Sequence, residues 1–108
     1  MNPIAGWIAR FVLAAALSAP ANAALAENAR YGLVFVKTWC SMCHAIGLYD
    51  ESPLAIAPPF RTLHERYPIE SLEESFAEGI VTGHPTMPQF KLDAAQINAL
   101  MAYFKTLE

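Results

Sequence analysis

Cys40-Ser41-Met42-Cys43-His44 is the stretch of the chain in which residue type and spacing together imply chemistry. Two thiols three positions apart on a helical turn reach one face. There they can add across the two vinyl groups of a haem while the adjacent histidine is carried under the iron. Short C-x-x-C runs also serve zinc sites and dithiol oxidoreductases, so the motif leaves three chemistries open. A disulfide between these two cysteines would close a tiny loop and remove little unfolded-state entropy.

An iron held by His44 needs a sixth ligand. Met87 lies in a proline-bracketed loop, Pro85-Thr86-Met87-Pro88, where a thioether would fill the open position and favour the reduced metal. Ala57-Pro58-Pro59-Phe60 offers a loop carbonyl able to accept the Nδ1–H of His44 and so to fix its tautomer. A zinc site would have to combine Cys40, Cys43 and His44 with His64 or His84, and no second cysteine pair exists. The dithiol reading takes Val34 to Cys40 as a strand entering W-C-x-x-C, faced by a cis-proline loop at Gly83-His84-Pro85-Thr86. A thioredoxin-like sheet needs further strands, and residues 45–79 hold no strand-like run.

The elements that must position these groups read as helices and loops. Tyr31, Phe35 and Trp39 fall at helical spacing, although Leu33 to Val36 is rich in β-formers and suits a short buried strand as well. Residues 45–58 carry turn chemistry. Phe60 to Arg66 suits a short helix stopped before Pro68. Residues 69–78 put Leu72 and Phe76 four apart, with Glu70, Glu73 and Glu74 in the first turns and Gly79 as the stop. Gly83, Pro85 and Pro88 make residues 80–92 a loop. Asp93 with Gln96 forms a capping-box pattern ahead of Ile97, Leu100, Met101 and Phe104, which recur at i, i+3, i+4 and i+7. The expected class is all-α, small and rich in loops.

The chain has 108 residues, 55% of them hydrophobic and 16% charged, with a formal net charge of −3. That length suits one domain. Without a basic excess, nucleic-acid binding is not expected. The apolar residues are unevenly spread, since 16 of the first 23 are apolar. In that segment Arg10 is the only charge, Phe11 to Ala19 is nearly all apolar, Pro20 breaks the run, and Ala21-Asn22-Ala23 supplies small residues for a signal peptidase. Residues 1–23 therefore read as an export signal, with cleavage after Ala23 or, at a second small-x-small site, after Ala26. The apolar stretch is too short for a spanning helix of roughly 20 residues. Residues 24–108 form the working domain, short enough to need a staple in the form of a bound group.

With these motifs in this order, the chain resembles the class I c-type cytochromes, specifically the small periplasmic bacterial ones, over essentially the whole of residues 24–108. CSMCH is similar to the family's haem-attachment motif, and GHPTMPQF to its methionine-ligand loop. Gly32 and Val36 match positions where the family's N-terminal helix crosses its C-terminal one, and Leu100 and Tyr103 match the partner positions. At Val36 the family more often has an aromatic residue.

The resemblance implies a cytochrome c fold, a small helical domain around one covalently attached haem c. It implies attachment at Cys40 and Cys43, iron ligation by His44 and Met87, and support of His44 by the Pro58 carbonyl. Leu48, Phe60, Leu63, Phe76, Phe90 and Leu100 are expected to line a dry pocket, and Gly32 to let Tyr103 approach its backbone. Arg61, Arg66 and Trp39 are candidates to bind haem propionates, against a plain reading as surface cations and a packed aromatic. Met42 and Met101 are expected to pack, His64 and His84 to lie exposed, and the acidic residues around Glu73 to form a solvated face.

The implied function is electron transfer in the periplasm between redox partner proteins, without enzymatic turnover and without membrane insertion after signal cleavage. Two alternatives stand beside it. One is a haem sensor or peroxidase-like enzyme in which Met87 leaves the iron, with His84 as its distal acid–base group. The other is the thioredoxin-like dithiol oxidoreductase.

Overall fold

Pro20 caps a helix, α1, that runs over Ala21–Trp39. The computed structural model describes residues 20–108, so residues 1–19 of the expected export signal lie outside the described residues. The alanine-rich start of α1 is intrinsically helix-forming. Farther along, Gly32 and Val36 are its buried residues, and their contact with the last helix overrides the β-preference of Leu33 to Val36. No described helix is long and apolar enough to cross a membrane.

A long irregular segment follows, and then a 3₁₀ turn over Phe60–Thr62 leads into α2, Leu63–Arg66. Tyr67 is extended, with φ −162° and ψ 161°, as a residue before proline must be. Helix α3 covers Ser71–Glu78, starting two residues later than the sequence pattern suggests. Ile69 is buried in the bend ahead of it. Gly79, at φ +105°, ends α3 in a conformation that favours glycine. Helix α4 spans Ala94–Lys105. Its capping box is complete: the Gln96 N–H donates to Asp93 Oδ1 at 2.8 Å, and the Asp93 N–H donates to Gln96 Oε1 at 3.0 Å.

The principal helix pairing is α1 on α4. The core grows from it: Val36 and Leu100 are the largest fully buried side chains, and Phe60, Leu63, Phe76 and Phe104 join them from the other elements. Each such side chain contributes roughly 1.5–3 kcal/mol by leaving water. There is no strand among the described residues. The all-α expectation holds, and the sheet that a thioredoxin-like fold needs is missing from this part of the chain.

Candidate functional site

The C-x-x-C-H motif is built as the unwinding end of α1. The Cys40 and Ser41 N–H groups both donate to the Val36 carbonyl at 2.9 Å, and the Ser41 hydroxyl donates to the Lys37 carbonyl at 2.6 Å. The turn continues with the Cys43 and His44 N–H groups on the Cys40 carbonyl, at 3.2 and 3.0 Å. Cys40 and Cys43 are both free thiols, half-buried at the edge of one cleft. Burial pushes the Cys40 thiol up to about 11, with Cys43 adding to the shift. A dithiol oxidoreductase needs the opposite, a thiol held low so that thiolate is abundant.

His44 points its ring into the same cleft. Its Nδ1 donates to the Pro58 carbonyl at 2.8 Å, which leaves Nε2 as the nitrogen with a free lone pair. The supporting loop is held close by the Phe60 N–H, which donates to the Ala45 carbonyl at 2.9 Å. Phe60 also lies against the imidazole, with ring centroids 4.8 Å apart, and makes an edge-on contact with Phe104 at 5.0 Å. These contacts limit the ring to one orientation.

Met87 reaches the cleft from the 79–92 loop. That loop is clipped at its base by Ile80 N–H on the Phe90 carbonyl at 3.0 Å and by Leu92 N–H on the Phe76 carbonyl at 2.9 Å. Within it, Met87 N–H donates to the His84 carbonyl at 3.2 Å. The side chain is half-buried. Cys40, Cys43, His44, Pro58 and Met87 thus all line a single cleft of about 380 Å³, within the roughly 300–1,000 Å³ typical of cofactor sites. None of its lining residues is Asp, Glu, Lys or Arg.

The donor set fits a haem. Two thiols stand beside one imidazole with its lone pair free, a soft thioether lines the same space, and the walls are uncharged and mainly apolar. Among the described residues no group of three or more His, Cys, Asp and Glu side chains could hold a metal ion, so the zinc alternative lacks its cluster.

Most of the expected pocket residues line the cleft: Phe60, Leu63, Phe76, Phe90 and Leu100. Leu48 does not; it is 48% exposed on the loop after His44. Met42 is not packed as expected but stands 81% exposed at the cleft's edge, whereas Met101 is buried away from it. Trp39 lines the cleft, but Arg61 and Arg66 do not, and Arg61 instead donates to the Asp50 carbonyl at 2.6 Å. His64 lies exposed outside the cleft, and His84 lies exposed on its rim.

Sequence reasoning missed Phe35, Leu54, Tyr67 and Ile80 as lining residues. Phe35 was visible one residue from Val36, and Ile80 directly after the Gly79 stop. Leu54 and Tyr67 lie where no periodic pattern assigns a face.

Compared with known proteins, residues 31–108 match a family model described as Cytochrome c. No curated protein and no solved structure matches the chain.

Proposed function

The chain belongs to the cytochrome c family, and on that premise we propose that it is a periplasmic one-electron carrier whose haem is joined to Cys40 and Cys43 and ligated by His44 and Met87. Members of the family bind haem c covalently and exchange electrons with redox partner proteins. The bound haem supplies an iron that takes up and gives back one electron. The periplasmic location draws on the export pattern of residues 1–23.

The observation that carries the ligand assignment is the 2.8 Å bond from His44 Nδ1 to the Pro58 carbonyl, inside a cleft that Met87 also lines. It keeps the proton on Nδ1 and aims Nε2 outward as a ligand. It also makes the imidazole more basic, which favours the oxidised metal, while the Met87 thioether favours the reduced one. Phe60, Phe76, Phe90 and Leu100 give the cleft an apolar wall, which would leave little water to reorganise around a bound haem during electron transfer. His44 and Met87 would together hold the iron, and an iron held by two protein ligands would keep no position free for a substrate.

Intact-mass and visible-absorption measurements on protein expressed with export to a bacterial periplasm test this reading. The expected mass is that of residues 24–108, or 27–108, plus one haem that survives denaturation. The oxidised protein should also show the far-red band of methionine-to-iron ligation. A mass without haem would defeat the proposal. Loss of the far-red band on adding cyanide or nitric oxide at low concentration would favour a sensor or enzyme in which Met87 is displaced beside His84.

A further inference from the structure

Ile46, two residues beyond His44, is held by side chains at both of its backbone polar groups. Its N–H donates to Asp50 Oδ2 at 3.2 Å, and its carbonyl accepts the Tyr103 hydroxyl from helix α4. Asp50 has two further bonds: Oδ1 accepts the Gly47 N–H at 3.0 Å, and its carbonyl accepts Arg61 Nη1 at 2.6 Å. A β-carbon at Gly47 would lie 2.7 Å from Asp50 Oδ1, so this turn is closed tightly around the carboxylate. On the other side of Ile46, the Ala45 N–H donates to Ser52 Oγ at 2.9 Å, and its carbonyl accepts the Phe60 N–H.

Residues 44–47 are thereby tied to residues 58–61, directly by the Ala45–Phe60 backbone bond and through Asp50 by the Arg61 side chain. Both sides of the His44–Pro58 bond belong to those two segments. Tyr103 is buried and connects this loop to the helix pair, because its own Cβ lies 2.7 Å from where a Gly32 Cβ would stand. A side chain 57 positions from Ile46 thus joins the α1–α4 helix pair to the residues after the ligand.

We infer that Tyr103 and Asp50 are positioning residues that hold His44 against the Pro58 carbonyl and thereby set the electron affinity of the site. The inference rests on His44 being the iron ligand. Its sign follows from the hydrogen bond: a firmly held Nδ1–H···O=C contact makes the imidazole a stronger donor and favours the oxidised metal. Loosening the loop weakens that bond and makes reduction easier. Admission of water to replace Met87 would have the opposite sign.

The test is the reduction potential at neutral pH of the haem-loaded protein and four variants, with thermal unfolding followed alongside. Tyr103→Phe removes the hydroxyl and keeps the ring. It should raise the equilibrium constant for reduction about threefold, which is about 30 mV upward at 59 mV per decade. Asp50→Ala should raise it by at least as much. Glu51→Ala removes a neighbouring carboxylate without touching these bonds and should raise it by clearly less. Ile97→Val trims a core residue outside the cleft, and it should lower the unfolding temperature while leaving the potential where it was. The inference is overturned if Tyr103→Phe leaves the potential unmoved or lowers it, if Asp50→Ala matches Glu51→Ala, or if Ile97→Val raises the potential equally. Failure to find covalent haem or methionine ligation in the unaltered protein overturns the functional reading and this inference together. Unmoved potentials with haem and ligands in place overturn the inference alone.

Discussion

A β-carbon placed on Gly32 would stand 2.1 Å from the carbonyl oxygen of Ala99. Helices α1 and α4 therefore meet backbone to backbone at a point where only a hydrogen fits. The expected approach of Tyr103 to Gly32 is present, with its Cβ 2.7 Å from the same position, but the Ala99 carbonyl is the closer neighbour. Because that neighbour is main chain, it cannot rotate aside. Gly32→Ala should force the helices apart and destabilise the haem-loaded protein by about 1–3 kcal/mol, the usual cost of overpacking. Guanidinium unfolding monitored by far-ultraviolet circular dichroism measures it, and an unchanged midpoint would mean the helices slide past each other freely.

Cys43→Ala should leave the haem attached through Cys40 at most, with a lower yield of loaded protein. The chain that fails to acquire haem should be largely unfolded. Its cleft walls, among them Phe60, Leu63 and Phe76, would face water and forfeit the burial that so small a domain depends on. Mass spectrometry separates the two populations. A native-like circular dichroism spectrum for the haem-free fraction would show that the polypeptide core suffices.

Met87→Ala should open the sixth coordination position and lower the reduction potential, because a thioether stabilises the reduced iron. A drop of the order of 0.1 V is expected, within the roughly 0.8 V that axial ligands span. Potentiometric titration reads it directly, and a potential equal to that of the unaltered protein would assign the distal position elsewhere.

Alkaline pH should weaken the fold through Tyr103. Burial, and secondarily the negative charge of Asp50, raises its phenol above the ordinary 10.0. The unfolded chain then loses that proton first. The stabilisation is complete below about pH 10 and declines as pH rises through the folded value. Unfolding free energies measured between pH 8 and 11 should fall for the unaltered protein. They should fall less for Tyr103→Phe, which has nothing to ionise there.

Local patterns account for what the sequence made readable. Helix α4 announces itself twice, by the Asp93–Gln96 capping box and by the spacing of Ile97, Leu100, Met101 and Phe104, all of them buried. The cysteines, His44 and the Met87 loop are recognisable because their chemistry depends on residues close in sequence. The start of α1 at Ala21 is less visible, since its first residues, Ala21-Asn22-Ala23, fall within the expected export signal and its alanine-rich first turns have no apolar face to display. Leu48 looked like a pocket residue and is not one, because an aperiodic loop does not reveal which way a side chain turns. The tie between Tyr103 and Ile46 had no signal in the sequence at all: nothing local to either residue refers to the other.

The pairing of α1 with α4 also governs how the chain can fold. The two helices flank everything from Cys40 to Asp93, so their contact forms only when that whole stretch closes as a loop. Closure of so long a segment costs roughly 3–4 kcal/mol in chain entropy on the logarithmic scaling, before any of the helix contact is gained. Refolding should accordingly be slower than in a bundle whose helices meet their sequence neighbours. A single backbone cut between His44 and Pro58 would turn this closure into the meeting of two separate fragments, one bringing α1 and the other α4, at a rate that rises with their concentration.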